Sequence, residues 1–247
     1  MHPIIFEWGP FKIYSYGLMV SLGFLTAILL IILRREEMKL KVDEILDLAT
    51  WILVAGILGA RLFHVLLNLE FYLRDPKEII MLHHGGLAYQ GGLISAILAS
   101  VWFLKRRNYS FFKVADYIMP FVALGHSIGR IGCFLNGCCY GRESFNFGVL
   151  FPDKEYPVYP TEIYYSFSLL VIFVVLNFMS ERKKFEGEIF SLYLLLYGIM
   201  RVSIDFLRGD LYVYPIGLTM TQMIGAGFIV FSIFLSLYLK RYEKNKP

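Results

Sequence analysis

Residues 125–141 read GHSIGRIGCFLNGCCYG, so that one arginine and three cysteines lie in an apolar stretch interrupted by glycines. Arg130 lies between two glycines and is soon followed by Phe134 and Leu135. A charged side chain in such surroundings is costly and is usually functional. The stretch therefore predicts a membrane-spanning helix that ends at a polar site.

The rest of the chain has the composition of an integral membrane protein. Of its 247 residues, 57% are hydrophobic, 17% aromatic and 18% charged, which is too apolar for a soluble domain of this length. Well over half of the 24 lysine and arginine residues lie in four short clusters, at residues 34–41, 105–113, 182–184 and 240–246. Such clusters mark the cytoplasmic ends of membrane spans, and we predict no nucleic-acid partner.

We predict an all-α protein with one transmembrane domain over residues 1–247, in contact with the lipid bilayer. Its seven predicted transmembrane helices cover residues 16–33, 46–67, 86–104, 114–135, 160–179, 188–207 and 216–239. The basic clusters alternate with these spans, so the positive-inside rule places the N-terminus outside and the C-terminus in the cytoplasm. Residues 68–85 are too polar to span and are predicted to form an arm on the outer surface.

Three arginines, Arg61, Arg130 and Arg201, each lie near the outer end of a different predicted span. If they converge, their planar donor groups suit a phosphate, and the abundant phosphates at that depth are phospholipid head groups. Arg201 and Asp205 are four residues apart on one helix and are expected to pair. The alternative for each arginine is structural, by reaching the interface or pinning helices together, and this applies most to Arg208.

Two other groups of polar residues are open to more than one interpretation. Glu162 lies at a predicted helix start, where free backbone N–H groups are expected to satisfy its carboxylate. Cys133, Cys138 and Cys139 form neither a disulfide framework nor a complete pair of zinc half-sites. We interpret them as small residues filling a tight helix end, with a free-thiol or transient redox role as the alternative. No metal and no cofactor is predicted.

The motif GRIGCFLNGCCYG at residues 129–141 resembles the signature of the prolipoprotein diacylglyceryl transferase family. Cys133 takes the place of the usual asparagine, and Cys138 that of the usual glutamate. The residues that match the signature are Gly129, Arg130, Gly132, Phe134, Asn136 and Gly141. Further motifs resemble the family in the same order along the chain: YSYGLM at 14–19, GARL at 59–62, GGLAYQGGL at 85–93, YPTEIYYS at 159–166, RVSIDFLR at 201–208 and LTMTQ at 218–222.

The chain differs from the family pattern at positions where chemistry is expected. Gln90 stands where the family commonly has histidine, and Asp205 where it has glutamate. Tyr159 and Glu162 stand where it has histidine and glutamine. The general base is therefore unassigned, and the alternatives are Glu162, Asp205, His84 and a tyrosine phenolate.

The resemblance implies a multi-pass enzyme of the bacterial plasma (inner) membrane with its active site toward the outer face. Its implied reaction moves the diacylglyceryl group of phosphatidylglycerol to the lipobox cysteine of a prolipoprotein signal peptide, forming a thioether and releasing glycerol phosphate. The implied catalytic residues are Arg201, Asp205 and Glu162. The implied substrate-binding residues are Arg130, Arg61, Tyr16, Gln90, Asn136, Gly141 and Tyr164. Because the substrate supplies the nucleophile, the chain's own cysteines need not react.

Two other classes of function stay open. The missing family histidine, asparagine and glutamate suggest a non-catalytic protein of the same fold that binds or translocates phospholipid. A small-solute transporter or channel predicts charges through both halves of the membrane. Here the predicted intramembrane charges, apart from Asp116, lie toward one side, which disfavours that class.

Overall fold

The computed structural model describes residues 1–9, 11–37, 40–81 and 85–245. Within these residues the chain forms one antiparallel pair of strands and eight α-helices, with 3₁₀ turns at Arg35–Glu37 and Pro76–Ile80. The strands are β1 (Ile4–Trp8) and β2 (Phe11–Tyr14). The helices are α1 (Ser15–Leu33), α2 (Val42–Leu67), α3 (Leu69–Arg74), α4 (Tyr89–Arg106), α5 (Phe111–Asn136), α6 (Thr161–Ser180), α7 (Glu188–Asp205) and α8 (Met220–Lys244).

Five helices in the described part of the chain are long and apolar enough to cross a membrane, namely α1, α2, α5, α6 and α8. Two more predicted spans coincide with α4 and α7, which are more polar. Helix α7 carries Glu188, Arg201 and Asp205, and α4 combines a Tyr-Gln-Gly-Gly start with a basic end. The prediction of a helical integral membrane protein is thus confirmed, while the count of seven spans stays a prediction.

The outward surface of the spanning helices is apolar. Leu25 and Leu33 of α1 are 61% and 68% exposed, and Phe234 of α8 is 69% exposed. A soluble monomer rarely exposes apolar surface of this kind over whole helices. In a bilayer the same side chains face acyl chains, while the helices satisfy their own backbone hydrogen bonds.

The chain forms two compact units, one of residues 1–33 with 115–247 and one of residues 34–114. The single domain over residues 1–247 stays a prediction. In the first unit the apolar core is built by α5, α6 and α7. The core residues are Ala123, Tyr165, Leu169, Ile172, Leu176, Ile189, Met200 and Ile204.

Glycines allow close helix contacts within each unit. A methyl group added at Gly198 of α7 would lie 2.6 Å from the carbonyl oxygen of Gly225 on α8. Gly59 of α2 and Gly91 of α4 meet in the same way in the second unit. Small residues at such crossings let backbones approach, as in other membrane proteins.

Asp116 of α5 fixes the start of α7. Its buried carboxylate accepts hydrogen bonds from the backbone N–H groups of Gly187 at 2.8 Å and Phe190 at 2.9 Å. Lys183 Nζ lies 3.3 Å from the same carboxylate. A carboxylate is favourable at a helix N-terminus because it satisfies free N–H groups and the helix dipole. The charge at Asp116 is therefore explained by helix capping.

The N-terminal hairpin is the part of the fold that the all-α prediction does not include. Residues 1–15 are predicted only as an interfacial segment, whereas β1 and β2 pair in antiparallel register. The backbone N–H of Ser15 donates to the Pro3 carbonyl at 2.9 Å, which ties the hairpin to the start of α1.

Residues 68–85, predicted as an arm, contain the short helix α3 and the Pro76–Ile80 turn. These two helical pieces are too short to span a membrane, as the polarity of the segment predicts. Residues 82–84 lie outside the described residues, and with them the candidate base His84. The outer-surface position of the arm stays a prediction.

Candidate active site

Arg130 on α5 and Arg201 on α7 approach the same aromatic ring, that of Tyr165 on α6. The guanidinium carbons lie 4.6 Å and 5.3 Å from the ring centroid, respectively. Tyr165 is completely buried, so the surrounding core fixes the ring. Cation–π attraction favours this arrangement, which places the two predicted arginines in one site.

Asp205 contacts both Tyr165 and Arg201 and is 2% exposed. Tyr165 donates its hydroxyl hydrogen bond to Oδ1, and the Thr221 hydroxyl donates to Oδ2. Arg201 Nε lies 3.4 Å from Oδ2, so the ion pair expected from the spacing of four residues is present. With three partners on one buried carboxylate, Asp205 is suited to hold Arg201 in place.

The two arginines keep donors free for a ligand. Arg130 Nε donates to His126 Nε2 at 3.3 Å, which requires the neutral His126 tautomer with its proton on Nδ1. The terminal nitrogens of Arg130 and Arg201 hydrogen-bond no acceptor in the part of the chain that the structure describes. Two planar donor groups therefore remain for an anion, in the geometry that phosphate oxygens accept.

The motif LTMTQ forms the start of α8 and explains how Thr221 reaches Asp205. The Thr219 hydroxyl accepts from the Gln222 N–H at 3.1 Å, while the Gln222 side chain accepts from the Thr219 N–H at 2.9 Å. This reciprocal capping box fixes the first turn of the helix. The motif therefore supports the arginine site indirectly, by orienting Thr221.

Glu162 is in an unusual environment in the first turn of α6. It is 1% exposed, and neither carboxylate oxygen has a hydrogen-bond partner among the described residues. The N–H groups of the helix start therefore form no hydrogen bond of normal geometry with it, although its own backbone N–H lies near the carboxylate. Arg130, Arg208 and Cys139 lie within electrostatic range of the carboxylate. An unpaired buried carboxylate is costly, and such groups are often found at functional sites.

Gly141 is held in the loop that follows α5. Its N–H donates to the Tyr159 carbonyl at 2.7 Å, and the next N–H, of Arg142, donates to the Leu207 carbonyl at 2.8 Å. A methyl group on Gly141 would lie 2.5 Å from that Leu207 oxygen. The matched signature glycine thus joins the loop to the end of α7, and its role toward substrate stays a prediction.

Arg208 makes the structural contact that the sequence favours for it. Its Nε and Nη2 lie 2.8 Å and 2.5 Å from the two carboxylate oxygens of Asp210. Burial acts to lower the pKa of Arg208, but the hydrogen bonds and charge of Asp210 outweigh burial and raise the pKa. Arg208 therefore stays charged and is paired within its own loop.

The other predicted substrate-binding residues of this unit lie around the same region. Tyr16 is 48% exposed near the start of α1, and its Cα would be 3.2 Å from a methyl group on Gly132. Asn136 is the last residue of α5 and is half-buried. Tyr164 is half-buried on α6, with its ring centroid 6.5 Å from that of Tyr159.

Arg61 belongs to the second unit, where its side chain organises the arm. Its Nε donates to the Ile79 carbonyl at 2.9 Å, and its Nη1 and Nη2 donate to the carbonyls of Gly85, Gly86, Glu78 and Met81. All five N–H donors can be used in this way, which favours a structural role. Gln90 is exposed in the first turn of α4. A substrate-binding role for either residue stays a prediction.

The structure adds three residues to the candidate site: His126, Tyr165 and Thr221. His126 lies four residues before Arg130, and this spacing places both on one face of a helix. Tyr165 and Thr221 lie within YPTEIYYS and LTMTQ, but their contacts depend on how separate helices pack. The histidine had a local signal in the sequence, and the other two did not.

Comparisons with known proteins show the family to which the chain is similar. The family model described as prolipoprotein diacylglyceryl transferase matches residues 3–238. Proteins named phosphatidylglycerol–prolipoprotein diacylglyceryl transferase are similar to the chain over almost its whole length. The relative from Clostridium tetani is 34% identical over 99% of this chain and 100% of its own. The relative from Finegoldia magna is 32% identical (98% and 97%), and that from Pseudoalteromonas atlantica is 32% identical (98% and 90%). The chain belongs to the prolipoprotein diacylglyceryl transferase family.

Proposed function

We propose that this membrane protein transfers the diacylglyceryl group of phosphatidylglycerol to the lipobox cysteine of a prolipoprotein signal peptide. The names of its relatives support this reaction. The single observation that carries the proposal is the pair Arg130 and Arg201, which meet at Tyr165 and whose terminal nitrogens have no acceptor among the described residues. Phosphatidylglycerol offers a phosphodiester of the charge and geometry that such donors bind.

The reaction forms a C–S bond and breaks a C–O bond, while the proton of the substrate thiol passes to a base. The substrate sulfur attacks the glyceryl carbon that carries the phosphate, so a C–S thioether bond forms as the C–O bond to phosphate breaks. The electron pair of the broken bond leaves with glycerol phosphate. Arg130 binds the head group and Arg201 stabilises the charge on the departing phosphate. In a low-dielectric site such preorganised charges contribute more than they would in water.

Asp205 acts as a positioning residue for Arg201. Its three contacts, to Tyr165, Thr221 and Arg201, occupy the carboxylate and hold the guanidinium before substrate arrives. A fixed donor loses less entropy when it binds the transition state. These contacts disfavour Asp205 as the proton acceptor.

Glu162 is the proposed proton acceptor for the substrate thiol. The thiolate is the reactive form of a cysteine, so a base promotes the attack. Glu162 is a buried carboxylate without a hydrogen-bond partner among the described residues, and it lies within electrostatic range of Arg130. The proton therefore has an acceptor beside the site that binds the phosphate.

The proposed topology places this site toward the outer face of the bacterial plasma membrane. It adds α4 and α7 to the five apolar helices, which gives seven spans, with the N-terminus outside and the C-terminus in the cytoplasm. The basic residues Arg241 and Lys244 in the last turn of α8 support a cytoplasmic end. We propose that the substrate-binding region of the first unit includes Tyr16, Tyr164, Asn136 and Gly141. Substrate contacts of Gln90 and Arg61, which belong to the second unit, are a separate prediction.

The test incubates membranes that contain the protein with labelled phosphatidylglycerol and a peptide that carries a lipobox cysteine. We expect a lipidated peptide with a thioether bond, and equimolar glycerol phosphate. A peptide with serine in place of that cysteine is the control and should not be modified. If wild-type protein binds phosphatidylglycerol but yields no product, the non-catalytic phospholipid-binding alternative is correct.

A further inference from the structure

Three cysteines meet at the end of α5 although no complete zinc motif is present in the sequence. Cys133 lies in the last turn of α5, and Cys138 and Cys139 follow it in the loop. Their Sγ atoms all lie within 4.8 Å of one another, and the Cys138 and Cys139 sulfurs are 3.1 Å apart. Packing of small side chains at a helix end does not by itself require the three sulfur atoms to lie this close together.

The spacing of the sulfurs suits a zinc ion. Zinc binds cysteine sulfur at about 2.3 Å in tetrahedral geometry, which places two sulfur ligands about 3.8 Å apart. The observed separations, from 3.1 Å to at most 4.8 Å, bracket this value. Shifts of under about 1 Å in side-chain position would therefore complete the coordination.

The loop backbone is held in a conformation that directs these side chains. Cys139 has φ 71°, in the left-handed region that residues other than glycine rarely adopt. The Thr161 hydroxyl donates to the Cys139 carbonyl at 2.7 Å, which ties this turn to the start of α6. A rare backbone conformation held by a specific contact is characteristic of ligand-binding turns.

A second observation points to a cation at the same place. Glu162 follows Thr161 directly, and its buried carboxylate has no hydrogen-bond donor among the described residues. It lies within electrostatic range of both Cys138 and Cys139. Buried carboxylates normally find a donor, a counter-charge or a metal ion. A zinc ion bound to three thiolates keeps one tetrahedral position open, and a carboxylate is among the ligands that zinc accepts there.

We propose that Cys133, Cys138 and Cys139 bind one zinc ion as three thiolate ligands beside the Glu162 carboxylate. Copper(I) prefers sites that offer only soft sulfur ligands. Because this site also has a carboxylate nearby, it favours zinc over copper(I). Three protein ligands leave the fourth tetrahedral position open to a water or another exogenous ligand. The evidence for the zinc site consists of these contacts, and it does not depend on the transferase reaction.

The test uses the full-length protein, purified in detergent, reduced and stripped of metal with a chelator. Titration with Co²⁺ should give a sulfur-to-cobalt charge-transfer band that saturates at one equivalent, and Zn²⁺ should displace the cobalt. Cys133→Ser and Cys138→Ser should each lose stoichiometric binding. Glu162→Gln, which keeps all three sulfurs, should retain the band and bind Zn²⁺ about tenfold more weakly. Circular dichroism and size-exclusion chromatography check that each variant is folded.

A measurement on wild-type protein alone keeps the test independent of how the variants fold. Zn²⁺ should protect the thiols from alkylation, as counted by mass spectrometry of the intact chain. Equal alkylation with and without Zn²⁺, no charge-transfer band in wild type, or a band that persists in Cys138→Ser would each overturn the zinc site. Neither readout uses the lipidation assay, so failure of the transferase proposal leaves this test unchanged.

Discussion

Arg130 and Arg201 come from different helices yet lie 4.6 Å and 5.3 Å from the ring of one tyrosine. Two cations repel each other, so their approach requires compensation from the surroundings. The electron-rich face of the Tyr165 ring and the negative charge of Asp205 offset this repulsion. The two groups are linked, because the Tyr165 hydroxyl donates a hydrogen bond to the Asp205 carboxylate. The arrangement prepares a site for an anion.

The first prediction concerns the geometry of Arg201. We expect Arg201→Lys, which keeps the charge but loses the planar donor group, to lower kcat for lipidation by about 100-fold. The measurement is the initial rate of thioether formation in detergent. The exposed Arg142 of the same unit gives the matched control, since Arg142→Lys should keep the wild-type rate. Full activity of Arg201→Lys would remove its assigned role on the leaving phosphate.

The second prediction concerns Asp205. Its replacement by asparagine should destabilise the fold by about 3 kcal/mol, because the partly buried Arg201 loses its counter-charge. Tyr165→Phe and Thr221→Val each remove one hydrogen bond, and each should lower the free energy of unfolding by about 1 kcal/mol. Thermal unfolding in detergent, followed by circular dichroism, ranks the three variants by stability. An Asp205→Asn variant as stable as wild type would argue against the assigned anchor.

The third prediction separates catalysis from stability at Glu162. Because no described residue donates to either oxygen, Glu162→Gln should keep or raise the melting temperature. The same change removes the proposed proton acceptor and should lower kcat by about 100-fold or more. A fall in stability with unchanged kcat would show that the carboxylate is structural.

The fourth prediction tests the close packing around Gly141. An alanine methyl group there would lie 2.5 Å from the Leu207 oxygen and 2.7 Å from Tyr159 Cβ. Gly141→Ala should therefore lower the melting temperature. The free energy of unfolding should fall by about 1–3 kcal/mol, as is typical of overpacking. Gly227 is the matched control, since it lies in α8 with no atom within 4 Å of an added methyl group. Equal melting temperatures for the two variants would contradict the packing argument.

The fifth prediction concerns the arm of residues 68–85. Arg61→Ala removes five hydrogen bonds to backbone carbonyls and should speed amide hydrogen exchange in this segment. Replacing the exposed Arg74 by alanine should leave exchange there unchanged. Unaltered protection in Arg61→Ala would mean that other contacts hold the arm.

Patterns in the sequence predict those structural features that are set by residues close together along the chain. The apolar runs predict the spanning helices, and a spacing of four residues predicts the Arg201–Asp205 pair, since both follow from helix periodicity. The contact of Tyr165 with Arg130 depends on the packing of α5 against α6, and no spacing encodes it. Whether a donor reaches the Glu162 carboxylate likewise depends on the three-dimensional packing, and none of the described residues donates to it.

The cysteine cluster is a second feature that sequence spacing does not predict. Their sequence spacing matches no metal motif, because such motifs describe ligands brought together by one regular turn. Here the left-handed backbone at Cys139 and its bond from Thr161 bring the sulfurs together. Neither feature has a signature in composition or periodicity, so the cluster was visible only in three dimensions.

The cap that Asp116 provides also determines the rotational phase of α7. Its bonds to Gly187 and Phe190 fix where the helix begins, and Arg201 follows on the same rigid element. Each residue inserted or deleted between them would rotate Arg201 by about 100° about the helix axis. Such a change would turn the guanidinium away from Tyr165 without altering any residue of the site. The length of α7 is therefore as strict a requirement as the identity of its charged residues.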